Sequence, residues 1–229
     1  MRPIVHAGMA TMPSRKRTAR LAIRSILPQV DVLHLYLDGF EVVPDFARHP
    51  KIRVTRSVDE PGLKANGKLL GMMHSPDGAF YVTVDDDYWY PRNFVKRLIR
   101  NYNEVGHPAV LGVHGSIILN PFESYVRDRR VITSWKPLRV RTSVNVVATC
   151  GTLHHLSDLR FDVRNWTVKN QVDLHFAEEM RRAGVEGHLV ERGWFWLIPL
   201  GHNQADSIFA SLKQDDQRQT ALARRLFFS

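Results

Sequence analysis

Three consecutive carboxylates, Asp85, Asp86 and Asp87, are the residues of this chain best suited to chemistry. The apolar run Tyr81-Val82-Thr83-Val84 leads into them, and Tyr88-Trp89-Tyr90-Pro91 follows. Adjacent like charges repel one another, which is costly unless water or a cation screens them. At the end of a buried strand the triplet would suit Mg²⁺ or Mn²⁺, hard cations that take carboxylate oxygens and bridge to phosphate. The plainer reading is a solvated acidic turn that ends a strand. The elements around the triplet decide between the two.

Residues 4–9 read as a first strand. A helix follows Ser14, which can cap it; Leu21, Ala22, Ile23 and Ile26 give it an apolar face, and Pro28 ends it. Residues 32–37 form a second strand, stopped by Asp38-Gly39. Strand, helix, strand is a βαβ unit, and its architecture is a parallel sheet covered by helices, with ligands bound beyond the carboxyl ends of the strands. Thr11, Arg15, Asp38 and the triplet all fall at such ends. Residues 52–56 read as a third strand and 59–68 as a polar loop. In that loop Lys64 and Lys68, four residues apart, either reach a diphosphate from one helix face or are simply solvated. Strand 80–84 delivers the triplet, and residues 93–105 are an amphipathic helix.

The second half is less regular. Residues 109–113 and 116–119 are apolar runs, and 120–143 read as a long mobile loop or lid. Residues 144–149 form a strand into Cys150-Gly151-Thr152, 170–184 a helix, and 189–190 a short strand. An apolar stretch, 194–200, ends at Gly201-His202-Asn203. The expected fold is α/β, a mostly parallel sheet flanked by helices. One domain is expected over residues 1–203, with a nucleotide-binding half to 91 and an acceptor half from 92, followed by a helical tail from 204 to 229.

The chain has 229 residues, and its 32 Lys and Arg against 23 Asp and Glu give a net charge of +9. That excess points to an anionic partner: nucleotide phosphates, nucleic acid or an acidic membrane surface. No zinc-finger or RNP-type motif accompanies the basic clusters, so no nucleic acid partner is expected. The tail, ending Arg224-Arg225-Leu226-Phe227-Phe228, suggests peripheral membrane contact. Cys150 is the single cysteine, which excludes an intrachain disulfide. No apolar stretch approaches the roughly 20 residues that span a bilayer, and the N-terminus does not read as a signal peptide. A cytoplasmic location, with membrane association through the tail, is the expectation.

The order of these motifs resembles the GT-A glycosyltransferases, close to the family 2 type of bacterial polysaccharide enzymes. The resemblance covers roughly residues 3 to 203. It rests on Thr11-Met12-Pro13-Ser14-Arg15, Leu35-Tyr36-Leu37-Asp38-Gly39, and Val84-Asp85-Asp86-Asp87 with Tyr90-Pro91, then on a later acidic helix start and a late histidine. It implies transfer of a sugar from a nucleotide-sugar, UDP-sugar by preference, to a hydroxyl of a glycan or glycolipid. Thr11 and Asp38 would hold the nucleobase, and Arg15, Lys64 and Lys68 the phosphates. Asp85 and Asp87 would match the DxD motif, with Asp85 on ribose or metal and Asp87 on metal, while Asp86 points away. Mn²⁺ or Mg²⁺ is the implied cofactor, with His202 completing its shell; His154, His155 and His175 compete for that place. Asp173 would be the general base of an inverting transfer, although Asn170 as N-cap with Asp173 three residues on is also a stabilising helix start. Glu178 and Glu179 are substitutes for the base. Gly151 and Thr152 would face the donor sugar, and Trp89, Trp194 and Trp196 are candidate sugar platforms.

Two other classes compete. A nucleotidyltransferase acting on sugar phosphates would also set acidic metal ligands on a parallel sheet, but its first loop is usually rich in glycine, and residues 11–15 contain none. A basic protein that binds nucleic acid or membrane without catalysis would explain the charge but not the triplet.

Overall fold

A computed structural model of the chain describes residues 2–166, 171–201 and 216–228. The elements run β1 (Val5–Thr11), α1 (Lys16–Ile26), β2 (Val32–Leu37), β3 (Ile52–Arg56), a 3₁₀ segment (Lys64–His74), β4 (Phe80–Val84), β5 (Tyr88–Trp89) and α2 (Phe94–Val105). Then come β6 (Ala109–Gly112), β7 (Gly115–Ile118), β8 (Arg129–Ile132), β9 (Thr142–Val144), β10 (Val146–Val147), β11 (Gly151–His155), α3 (Val172–Arg182), β12 (Glu186–Leu189), β13 (Ile198–Pro199) and α4 (Gln217–Phe227). One sheet of eight strands has the order β3-β2-β1-β4-β11-β6-β12-β9. Only β11 and β9 run against the others. The expected mixed α/β sheet flanked by helices is therefore what the chain forms, and its strands come from both sides of residue 91.

Side-chain alternation assigns the two faces of the sheet. Ala7, Met9, Leu33, Leu35, Leu37, Phe80, Val82 and Val84 enter one core, packed by Ala22, Ile23 and Ile26 of α1 and by Phe94, Val95 and Leu98 of α2. Tyr36 and Tyr81, one residue out of step, enter the other, with Leu69 and Met72 of the 3₁₀ segment and Phe176 and Met180 of α3. The βαβ start is thus the direct result of two opposite periodicities in neighbouring stretches of sequence.

Four expectations change. Residues 64–68 are not a solvated loop. They open eleven residues of 3₁₀ helix, seven of them buried. Long 3₁₀ runs are rare because their hydrogen bonds are poorly aligned, and here outside groups hold the segment. Tyr81 donates to the Lys68 carbonyl at 2.7 Å, and Arg160 donates to the carbonyls of Met72 and Ser75 at 3.0 Å each. Glycine lets the segment lie on the strands: a Cβ on Gly67 would sit 2.2 Å from Tyr36 Cγ, and one on Gly8 would sit 1.8 Å from the Lys68 carbonyl oxygen. Second, residues 120–143 contain β8 and the start of β9, with β8 paired to β7, so this is not a structureless lid. Third, the strand expected over 144–149 is split into β9 and β10, which belong to different sheets. Fourth, Ser14 does not cap α1. The chain enters that helix through a 3₁₀ turn, Pro13–Arg15, with Arg15 at the N-cap.

The tail helix α4 is packed on the body. Ala223 and Leu226 are buried, and α4 contributes to a cluster with Phe122, Tyr125, Leu174 and Ala177. Phe228 stacks on Phe122 with ring centroids 5.2 Å apart, and Arg225 bonds Glu178 at 3.0 Å. The aromatics and arginine that suggested a membrane surface thus have partners within the chain. No helix among the described residues is long and apolar enough to cross a membrane.

Two outcomes follow from the 3₁₀ layer. Gly67→Ala should destabilise the protein by about 1–3 kcal/mol, since the methyl group overpacks Tyr36; chemical denaturation measures this, and a neutral effect would mean the segment is loosely packed. The second concerns pH. His6 Nδ1 lies 2.8 Å from Ser75 Oγ and 3.2 Å from His34 Nε2 beneath this layer. Burial pushes His34 down to about 4, with His6, His74 and Arg53 adding to it. Its folded pKa is below the unfolded value, so its contribution is complete above pH 6.5 and is lost as pH falls toward 4. Buried carboxylates with raised pKa values act the other way, so the comparison must be with His34→Gln. The stability advantage of wild type over that variant should shrink by about 2 kcal/mol between pH 7 and pH 5. A constant difference would contradict a buried neutral His34.

Candidate active site

The parallel strands β1, β2 and β4 deliver three loops to one edge. Thr11 ends β1, Asp38 follows β2, and the triplet follows β4. The Asp38 amide donates to the Thr11 carbonyl at 2.9 Å, which closes the first two loops on each other. The triplet is a turn rather than strand, so strand alternation does not govern where its side chains point. Asp86 consequently does not face away into solvent. It is 9% exposed, lies beside Thr11 and feels the charges of Asp85 and Arg15.

Tyr90 holds this turn in place. It is 1% exposed. Its hydroxyl accepts the Asp85 amide at 2.8 Å and donates to the Cys150 carbonyl at 2.7 Å, while its own amide donates to Ser25 Oγ of α1 at 3.0 Å. From the other side β13 pairs with β5, and the Leu200 amide donates to the Asp87 carbonyl at 2.7 Å. The aromatic turn after the triplet is therefore a clamp joining α1, the residue before β11 and residues 198–200.

Two cations meet the carboxylates. Lys68 reaches Asp85 Oδ1 from the 3₁₀ layer, and Arg15 Nη1 lies 3.2 Å from Asp87 Oδ2. Burial alone would lower the Lys68 pKa, but Asp85 more than offsets this, and the ammonium is held above its ordinary value. Burial pushes Asp86 up to about 6, with Thr11 opposing the rise. It also raises Asp87, with the Asp85 and Asp86 charges adding to it. Asp87 Oδ1 is buried and makes no hydrogen bond. An unsatisfied buried carboxylate oxygen beside a second carboxylate fits a hard divalent cation. Among the described residues no third carboxylate, thiol or imidazole converges with these two within 4.8 Å. Mg²⁺ and Mn²⁺ commonly use one or two carboxylates and take the rest of their shell from water and substrate phosphate.

Asp173 stands at the start of α3 and ties that helix to the turn before β11. Its Oδ1 accepts both the Thr149 amide and the Thr149 hydroxyl at 2.9 Å. The charges of Asp173 and Asp85 both act on Lys68, Cys150 and His114. Burial raises the Cys150 thiol well above its ordinary value, which keeps it neutral. His114 was not singled out by its sequence. Burial lowers its pKa, with Asp173 opposing and Arg129 and Arg192 assisting. Arg129 lies 4.1 Å over the Tyr125 ring, and Arg192 is spent on the carbonyls of Thr133, Ser134 and Val190. The only sequence signal for His114 was its place at a glycine between two apolar runs.

Other expected residues are placed differently. Lys64 and Lys68 do not share a face, because 3₁₀ geometry repeats every three residues rather than four. Lys64 is exposed with φ of 50°, and Lys68 is 5% exposed on Asp85. Lys68 is therefore committed to Asp85. Thr152 is fully buried against Thr83, and Gly151 is packed on Val113 and Phe94, so neither faces a donor sugar. Trp196 packs on Phe94 and Arg97 and donates to Asn93 Oδ1 at 3.3 Å, which makes it part of the α2 contact rather than an open platform. Trp89 and Trp194 remain exposed, at 36% and 62%, and Trp194 adjoins Trp135 and Phe195. His154 and His155 pair with Tyr81 and Phe80, toward the amino end of β4, and His175 packs on Trp166, so none of these competes as a ligand beside the triplet. Glu178 and Glu179 bond Arg182, His175 and Trp166. His202 and Asn170 lie outside the described residues.

No protein-family model matches the chain, and no curated protein matches it. A crystal structure of 4-diphosphocytidyl-2C-methyl-D-erythritol synthase from Anaerococcus prevotii DSM 20548 is similar over 93% of this chain and 99% of that one. The identity is 11% and the TM-score 0.50. At that identity the likeness is one of fold: a Rossmann-like α/β domain with a large, mostly parallel central sheet.

Proposed function

We propose that the chain is a divalent-metal-dependent transferase that takes a nucleotide-sugar and moves its glycosyl group to an acceptor hydroxyl on a glycan or glycolipid. The observation that carries this reading is the half-buried pair Asp85 and Asp87, at the carboxyl edge of the sheet, with an unsatisfied oxygen on Asp87 and the Asp173 charge acting on the same Lys68 that Asp85 holds.

Thr11 and Asp38 close on each other where a base and ribose would lie. Asp85 and Asp87 would hold Mn²⁺ or Mg²⁺, whose charge offsets the negative charge that builds on a departing diphosphate. Arg15, held by Asp87, is a cation available to the same phosphates. Asp173 takes the acceptor's proton as its oxygen attacks the anomeric carbon and the bond to the diphosphate breaks. The Thr149 bonds both go to Oδ1, and Oδ2 carries neither. Trp89 and Trp194 offer exposed aromatic faces to an acceptor sugar.

A second reading is favoured by the structural neighbour, whose name is that of a diphosphocytidyl synthase. The same carboxylates would then serve nucleotidyl transfer to a sugar phosphate. Products separate the two. A panel of nucleotide-sugars with Mn²⁺ should release nucleoside diphosphate under the first reading. Nucleoside triphosphates with sugar phosphates should release pyrophosphate under the second.

Asp87→Ala should lower the metal-dependent rate at least about a hundredfold, whichever product forms; full activity would remove the metal assignment. Asp173→Asn keeps an oxygen for Thr149 and removes only the charge. It should retain metal-dependent nucleotide binding by calorimetry while transfer falls about 10²–10⁴-fold. Loss of both binding and transfer would make Asp173 a helix anchor only.

A further inference from the structure

A second group of metal-binding side chains lies at the opposite edge of the sheet. Gly106, in the left-handed conformation, ends α2, and His107 follows it just before β6. Glu186 opens β12, and His188, two residues on, points to the same side of that strand. Glu186 is in register with Ala109, so the three residues meet where β6 and β12 begin. Because β6 and β12 run parallel to β4, their beginnings lie away from the triplet.

Their ligand atoms already converge. His107 Nε2 is 3.9 Å and His188 Nε2 3.2 Å from Glu186 Oε2, and one ligand atom from each of the three residues lies within 4.8 Å of the others. Tetrahedral Zn²⁺ with bonds of about 2.0–2.1 Å would set its ligand atoms about 3.4 Å apart. Two details prepare the imidazoles. His107 Nδ1 faces the Pro108 carbonyl at 3.2 Å, and a proton donated there leaves Nε2 as a lone-pair donor. His188 Nε2 is buried and makes no aligned hydrogen bond, despite its nearness to Glu186.

We propose that His107, Glu186 and His188 bind one Zn²⁺, which fastens the α2–β6 connection to the start of β12. Two imidazoles and one carboxylate suit Zn²⁺ better than Mg²⁺ or Ca²⁺, and this distinguishes the site from the all-oxygen centre at Asp85 and Asp87. The ion adds a bridge between two neighbouring strands and leaves the candidate active site untouched.

The test uses untagged protein and Co²⁺ as the spectroscopic probe. Wild type should bind one Co²⁺ with the intense visible absorption of a tetrahedral, nitrogen-containing site, and Zn²⁺ should displace it. Free Zn²⁺ at a hundredfold excess over its Kd should raise the thermal midpoint by roughly 5–10 °C. His107→Ala and Glu186→Gln alter exposed side chains and should fold as wild type does, yet lose both responses. Asp87→Ala should keep both. No tetrahedral spectrum and no thermal shift in wild type, or the same spectrum in His107→Ala, would overturn the proposal.

Discussion

Lys68 reaches Asp85 from inside the protein, and the arrangement of the candidate site depends on that contact. Its side chain is 6% exposed, while that of Asp85 is 32% exposed. A buried ammonium is costly without a partner, and removing one member of such a pair costs about 3–5 kcal/mol because the other charge is left uncompensated. The pair therefore fixes the first carboxylate of the triplet relative to the 3₁₀ layer. That layer is fixed in turn by the close approach of Gly67 to Tyr36 and of Gly8 to the Lys68 carbonyl. Any side chain at these glycines would lift the segment and withdraw the ammonium.

The remaining charges are organised around that anchor. Arg15 comes from the opposite face of the sheet, at the start of α1, and meets Asp87. Two cations thus serve three carboxylates, and burial first, with the neighbouring carboxylates adding to it, raises Asp86 and Asp87. A divalent ion at the proposed site would offset that cost. Tyr90 prevents the alternative, in which the turn relaxes outward into water, by fastening the Asp85 amide to Cys150 and its own amide to α1. Stability and site geometry here share the same hydrogen bonds.

Much of this was legible in the sequence. The strands over 32–37, 52–56 and 80–84 have the bounds that alternation gives them, because each is flanked by turn formers and half its residues point into one core. The triplet's place at a carboxyl edge followed from the βαβ order. What was not legible were features with no local signature. The 3₁₀ segment carries glycines, lysines and an asparagine, which read as a loop; its stability comes from Tyr81 and Arg160, distant in sequence. Gly151 and Thr152 follow a turn, but antiparallel pairing of β11 with β4 carries them into the interior. His114 feels the charge of Asp173 across a long stretch of sequence, in a region where β7 pairs with β8 and β10. Phe227 and Phe228 looked like membrane contacts because Phe122, the surface they cover, lies about a hundred residues away.

Asp85 and Asp87, as the proposed cation site, would receive a nucleoside diphosphate between the β1, β2 and β4 loops. A crystal grown with Mn²⁺ and a nucleoside diphosphate, with data collected at the manganese edge, tests it directly. The expected result is an anomalous peak within bonding distance of Asp87 Oδ1, a pyrophosphate oxygen on the same ion, and the ribose near Asp38. Manganese bound only elsewhere, with Asp85 and Asp87 still held by Lys68 and Arg15 alone, would contradict it.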